Sequence, residues 1–215
     1  MNLREKTKSW REPNTRFANI GIFLAAACLI LLTSSIARAQ DTTLNLDPAQ
    51  TRIEFTLGAT MHTVHGTFKL KSGQIRFNPK TGKASGAVIV DATTGDTDNS
   101  SRDKKMHREV LESLKFGEII FTPDRVQGAI ASTGISQVDV HGNFRLHGQD
   151  HPLTMTFAVA PSAGNQLQAT THFAIPYVTW GLKNPSTFIL HVSDTVDITI
   201  HATGHIAMPS QAAEK

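Results

Sequence analysis

The chain has 215 residues, 40% hydrophobic and 18% charged, which is enough apolar material for a packed core and too much for a disordered chain. Its single cysteine excludes a disulfide framework, a cysteine-based zinc module and an iron–sulfur centre. A formal charge of +3 points toward nucleic acid only until the charges are placed along the chain.

Arg4, Lys6, Lys8, Arg11 and Arg16 crowd the N-terminus. Ile20 to Leu32 follows, 13 residues without a charged or strongly polar side chain, and then the small-x-small triplet Ala37-Arg38-Ala39. This order predicts a secretory signal peptide over residues 1–39, cleaved after Ala39. An uncleaved anchor is the runner-up, disfavoured because a membrane span needs about 20 apolar residues. Cys28 lies inside the apolar run, and Leu29 to Leu32 after it are poor company for a lipoprotein site. Removing residues 1–39 takes away 6 of 21 basic and 2 of 18 acidic residues, leaving 15 against 16 and a net charge of −1. No basic block is left for nucleic acid. The remainder has no cysteine and keeps all 10 histidines, a composition suited to the periplasm or the outside of the cell.

From there the sequence reads as strand after strand. Arg52 to Leu57 alternates apolar and polar side chains, and so does His62 to Leu70, with Val64, Gly66, Phe68 and Leu70 on one face. Ile75 and Phe77 continue, and Asn78-Pro79-Lys80-Thr81-Gly82 is a turn in which Pro presets φ and Gly accepts positive φ. Further strands are predicted over Ala84 to Thr93, Glu118 to Phe121, Val138 to Leu146, Leu153 to Val159, Leu167 to Ile175 and Ile189 to Ile206. The last has Val196, Ile198, Ile200 and Ala202 on one face. One helix is predicted, Ser101 to Leu114, with Met106, Val110 and Leu114 at helical spacing, Ser100 as N-cap and Asp103 placed for the helix dipole. The organisation is a single domain over residues 40–208 and a polar tail over 209–215.

About eight to ten strands with one apolar face each must either stack as two sheets or close into a barrel. The inward set places small residues, Gly66, Gly142, Gly148 and Ala169, among large ones, Phe55, Phe68, Phe144 and Phe157. Small inward residues leave room for a ligand, or simply taper a filled barrel.

Five stretches in order resemble the YceI-like polyisoprenoid-binding family, from about Leu44 to Ile206. They are Leu46-Asp47-Pro48 with Ile53 and Phe55; Val64-His65-Gly66-Thr67-Phe68; Ser101-Arg102-Asp103 with Met106 and Leu111; Ile119-Ile120-Phe121; and Val140 to Gly148 with Pro152 after it. The resemblance implies an all-β fold, a single antiparallel lipocalin-like barrel of about eight strands with one short helix after the Asp91–Asn99 loop. It also implies a long apolar interior that holds an isoprenoid chain or similar amphiphile, with no cofactor and no established catalysis. Lys105 stands where the family often has His, and Phe144 where it often has Leu. The segment Trp180 to Thr187 has no place in the general pattern.

On this reading Phe55, Leu57, Phe68, Phe121, Val140, Phe144, Met155, Phe157 and Phe173 line the lumen. His62 shares their parity and is a candidate polar lumen group, and Arg102 is a candidate for a phosphate or quinone oxygen at the mouth, its planar fork suiting phosphate. The bland alternatives are a core stripe and a local Arg102–Asp103 ion pair. The histidines form no local chelating pair. His62 and His65 face opposite sides, and His141 and His147 are six residues apart, roughly 20 Å along a strand. Only His147 and His151 flank a turn, expected at Gln149-Asp150. There is no HExxH, no GxSxG and no cysteine nucleophile after residue 39. The expected protein is a non-enzymatic lipid carrier or store. The alternatives are a filled barrel that acts in stress or interaction and, third, a histidine-dependent enzyme. Its partner would be a long-chain isoprenoid, and an open strand edge would allow a homodimer.

Overall fold

The computed structural model describes residues 41–60 and 62–207; the expected signal segment 1–39 and the tail 209–215 lie outside the described residues. Nine antiparallel strands follow in order: β1 (Thr42–Leu46), β2 (Arg52–Gly58), β3 (Thr63–Phe77), β4 (Ala84–Asp96), β5 (Glu118–Gln127), β6 (Ser136–Leu146), β7 (Gln149–Pro161), β8 (Gln166–Ile175) and β9 (Val196–Ala207). They close into an antiparallel barrel of eight staves, because β1 and β2 share one. Both lie between β3 and β9, β1 against Gln74–Phe77 and Gly204–Ala207, β2 against Thr63–Phe68 and Asp197–His201.

The long strands keep their apolar face inward by slipping register. The pairing of β3 with β4 gains a residue between Leu70 and Ser72, so the inward set changes from Phe68 and Leu70 to Ile75 and Phe77. In β5 a slip between Pro123 and Arg125 does the same, moving the inward set from Phe121 to Val126. Pro123 is fully buried beside this bulge, one of the few sheet positions where a missing N–H is tolerated.

Two seams are short, and at one of them β4 pairs β5 only from Val88↔Phe121 to Asp91↔Glu118. β7 and β8 pair only from Ala158↔Thr170 to Pro161↔Leu167, and the Thr171 hydroxyl donates to the Thr156 carbonyl where the ladder stops. Beyond that point the two strands have no backbone ladder.

Four sequence expectations need correction. The helix is shorter: α1 spans Ser100–Lys105 and a π-helical turn follows over Met106–Val110, closed by the Leu111 N–H on the Met106 carbonyl at 2.9 Å. In that wider turn residues four and five apart share a side, so Met106, Val110 and Leu111 all face the barrel interior, while Leu114 is exposed. The N-cap is Asn99, whose side chain accepts the Arg102 N–H, and Asp103 turns back to the Thr97 N–H. The last strand begins at Val196 rather than Ile189, because Ser193 and Asp194 interrupt the alternation and residues 189–193 bond to Thr60, Gly58 and Ser186. The hairpin turn is His147-Gly148, with φ of 52° and 78° as a type I′ turn requires, so Gly148 is not an inward residue and Gln149-Asp150 opens β7.

Candidate functional site

The inward faces enclose two adjoining chambers that share part of their lining. The wider one, about 590 Å³, occupies the end of the barrel where β2, β4, β6 and β8 finish. The narrower, about 140 Å³, lies toward the opposite end. Ile53, Val90, Ile119, Phe144, Phe173 and Ile200 border both and form a waist, with the rings of Phe144 and Phe173 edge to face at 6.4 Å between centroids. From Leu167 in the narrow chamber to Ile175 in the wide one, β8 runs eight residue steps, roughly 26 Å along the strand. At the usual barrel tilt of about 40° this is roughly 20 Å along the axis, a shape for an extended chain.

Phe55, Leu57 and Phe68 line the wide chamber; Phe121, Val140, Met155 and Phe157 line the narrow one; Phe144 and Phe173 stand between them. The glycines expected to make room do not. Gly66 is covered by the Phe55 ring, and a Cβ added to Gly142 would stand 2.9 Å from Phe121 Cζ. These glycines seat large neighbours, and the space comes from the barrel's girth.

The wide chamber opens among exposed polar residues, His62, Asn99 and Ser101, so His62 is a rim group rather than an interior one. Arg102 and Lys105 also line this end, and no carboxylate does. Arg102 makes no ion pair with Asp103. Instead Thr97 joins them: its hydroxyl donates to Asp103 and accepts from Arg102 Nε at 2.7 Å, and its carbonyl accepts from Arg102 Nη2 at 2.7 Å. This fixes the guanidinium plane and leaves its other donors without a partner among the described residues. Lys105 Nζ donates to the Pro185 carbonyl at 2.9 Å, tying α1 to the loop of residues 176–195.

That loop includes the segment the sequence left unplaced. Tyr177 is buried and donates to the Ser193 carbonyl at 2.7 Å; burial pushes its phenol up to about 12, with Asp194 adding to the shift. Trp180 packs at 5.9 Å from Phe144 and stacks face to face on His151 at 4.1 Å. His151 is opposite Phe144 across the hairpin, hence inward-facing, and its buried Nε2 has no hydrogen-bond partner among the described residues. His147 turns instead to Glu112, at 2.9 Å, and to the Phe116 ring. Among the described residues no three His, Cys, Asp or Glu side chains gather to hold a metal. Lys105 and Tyr177 line the wide chamber, and His151 and Trp180 stack beside Phe144; alternation singled out none of the four. The parity of His151 with Leu153 and Met155 was the one signal available.

The YceI-like domain family matches residues 44–204. A UPF0312 protein of Pseudomonas savastanoi pv. phaseolicola is 30% identical over 138 residues, 61% of this chain and 69% of its own. One from Pseudomonas fluorescens is 29% identical over 152 residues, 66% and 73% of the two chains. Among solved structures, BcnA of Burkholderia cenocepacia superposes with a TM-score of 0.59 at 15% identity, over 74% of this chain and 98% of its own. A polyisoprenoid binding domain from Saccharophagus degradans gives 0.58 at 14% identity, over 76% and 98%.

Proposed function

The chain belongs to the YceI-like domain family, and from that premise we propose that it binds one long apolar chain of isoprenoid type along the barrel axis, as carrier or store and not as catalyst. The observation that carries this reading is the two-chamber lumen. It is apolar along its length apart from Thr51 in the narrow chamber, and its cationic groups, Arg102 and Lys105, are confined to one end. Each buried CH₂ gains about 0.8 kcal/mol, so a dozen such groups support tight binding without any polar contact in the interior. Arg102 and Lys105 suit a phosphate or a quinone oxygen at the mouth. The similarity to a polyisoprenoid binding domain of Saccharophagus degradans supports the ligand class. The basic, apolar and small-residue order of residues 1–39 supports export, and the chain after it has no cysteine to oxidise.

The test is to express the full chain, purify the exported protein, extract it with organic solvent and analyse the extract by mass spectrometry. A stoichiometric isoprenoid or other long-chain lipid is the expected result. An empty extract, together with no uptake of added quinone, would favour the filled-barrel alternative and overturn the carrier reading.

A further inference from the structure

Four large apolar side chains are strongly exposed: Leu114 (104%), Ile135 (73%), Phe188 (100%) and Ile189 (81%). Three belong to loops at the mouth end. Leu114 follows the helical segment between β4 and β5, and Phe188 and Ile189 lie between β8 and β9. Only Ile135, just before β6, is at the far end.

Phe188 and Ile189 occupy the apex of a tight turn. The Thr187 N–H donates to the Leu190 carbonyl at 2.9 Å, and the Leu190 N–H to the Thr187 hydroxyl at 3.1 Å. Apex positions in water favour Gly, Asn, Asp or Ser, and an adjacent aromatic and β-branched pair is out of character. The turn is also held firmly. Ser186 Oγ accepts the Val192 N–H at 2.8 Å, Asn184 Nδ2 donates to the Val192 carbonyl at 3.0 Å, and Thr60 bonds His191 in both directions. Its flanks, Pro185, Leu190 and Val192, line the wide chamber. A braced turn thus holds its two most apolar side chains outward beside the mouth.

We propose that this turn docks the barrel on a lipid bilayer, Phe188 and Ile189 entering the interfacial layer so that the mouth meets the membrane. The occupant is lipid rather than protein on grounds of size. A stable protein interface needs about 800 Å² from each partner, whereas one aromatic side chain buries about 150–250 Å² and Ile189 adds a comparable amount. Entering a bilayer surface needs no matching partner face, and two apolar side chains give it a marginal, reversible attachment. The docking does not depend on which ligand fills the lumen. It gives an apolar ligand a route that avoids water.

The test is flotation of the purified protein with vesicles of phosphatidylethanolamine and phosphatidylglycerol, comparing wild type with F188S/I189S and I135S. All three positions are exposed, so the variants keep the wild-type melting temperature. The expected result is vesicle binding by wild type and I135S, and at least a tenfold weaker partition for F188S/I189S. Wild type that stays off the vesicles, or a double variant that floats equally well, overturns the proposal. So does a wild-type dimer that the double substitution dissociates, since the turn would then serve a protein interface. The lipid content of the purified protein is read separately, so an empty lumen and a non-docking barrel are distinguishable failures.

Discussion

Phe144 and Phe173 set how far a chain can reach into the barrel, because the narrow chamber lies behind their waist. F144A joins the chambers. The expected outcome is a shift of bound lipid toward longer chains by mass spectrometry, with stability lower by about 3 kcal/mol in urea unfolding. A second residue-scale contrast lies at the His151–Trp180 stack. H151F keeps the ring and removes a buried unpaired nitrogen, so stability stays within about 1 kcal/mol of wild type or rises. W180A removes the partner that fills the space beside Phe144, and unfolding measurements should show a loss of about 3 kcal/mol. The sequence made the lumen residues legible and hid this stack, for a physical reason. Period-two alternation marks which face of a strand is buried, and nine of the candidates follow from it. It is silent about a loop side chain that packs onto strand residues, as Trp180 does on His151 and Phe144.

At the scale of elements, the loop of residues 176–195 and the helical segment form the mouth, and neither is set by alternation. The helix was legible from Met106 and Val110, but the π-helical turn was not, since an i, i+4 pattern fits both helix types. The placement of β9 failed for a similar reason. Leu190 and Val192 keep the inward parity of Val196 while their backbone bonds elsewhere. Tyr177 anchors this loop and is the only tyrosine in the chain, so its ultraviolet titration reports the loop alone. The phenol is raised in the folded state. It therefore contributes stability that is fully present below the unfolded value near 10 and is lost as pH rises toward about 12. The expected titration shows phenolate only near pH 12 in the folded protein and near 10 in urea, and Y177F abolishes the signal.

For the whole molecule, the carboxylates decide the acid limit. Arg145 hydrogen-bonded to Asp150, the Thr93 hydroxyl and N–H on Asp91, and Gln50 on Asp47 each hold a carboxyl below its ordinary value of 3.8. Depressed folded values mean stability that is present above the unfolded pKa and is lost as pH falls through the folded one. The urea midpoint should fall below about pH 4, and D150N should fall less steeply. Eight staves in a ring share their hydrogen bonds, but two seams are short: β4 pairs β5 only over Val88–Asp91, and β7 pairs β8 only over Ala158–Pro161. Amide hydrogen exchange therefore has a built-in fault line. The amides of β8 beyond Thr171 that would face β7 should trade deuterium well ahead of those in the β6–β7 hairpin, whose ladder runs unbroken from Ser136↔Val159 to Leu146↔Gln149. When this barrel strains, it should open from the mouth end down the split between β7 and β8, like a book from the spine.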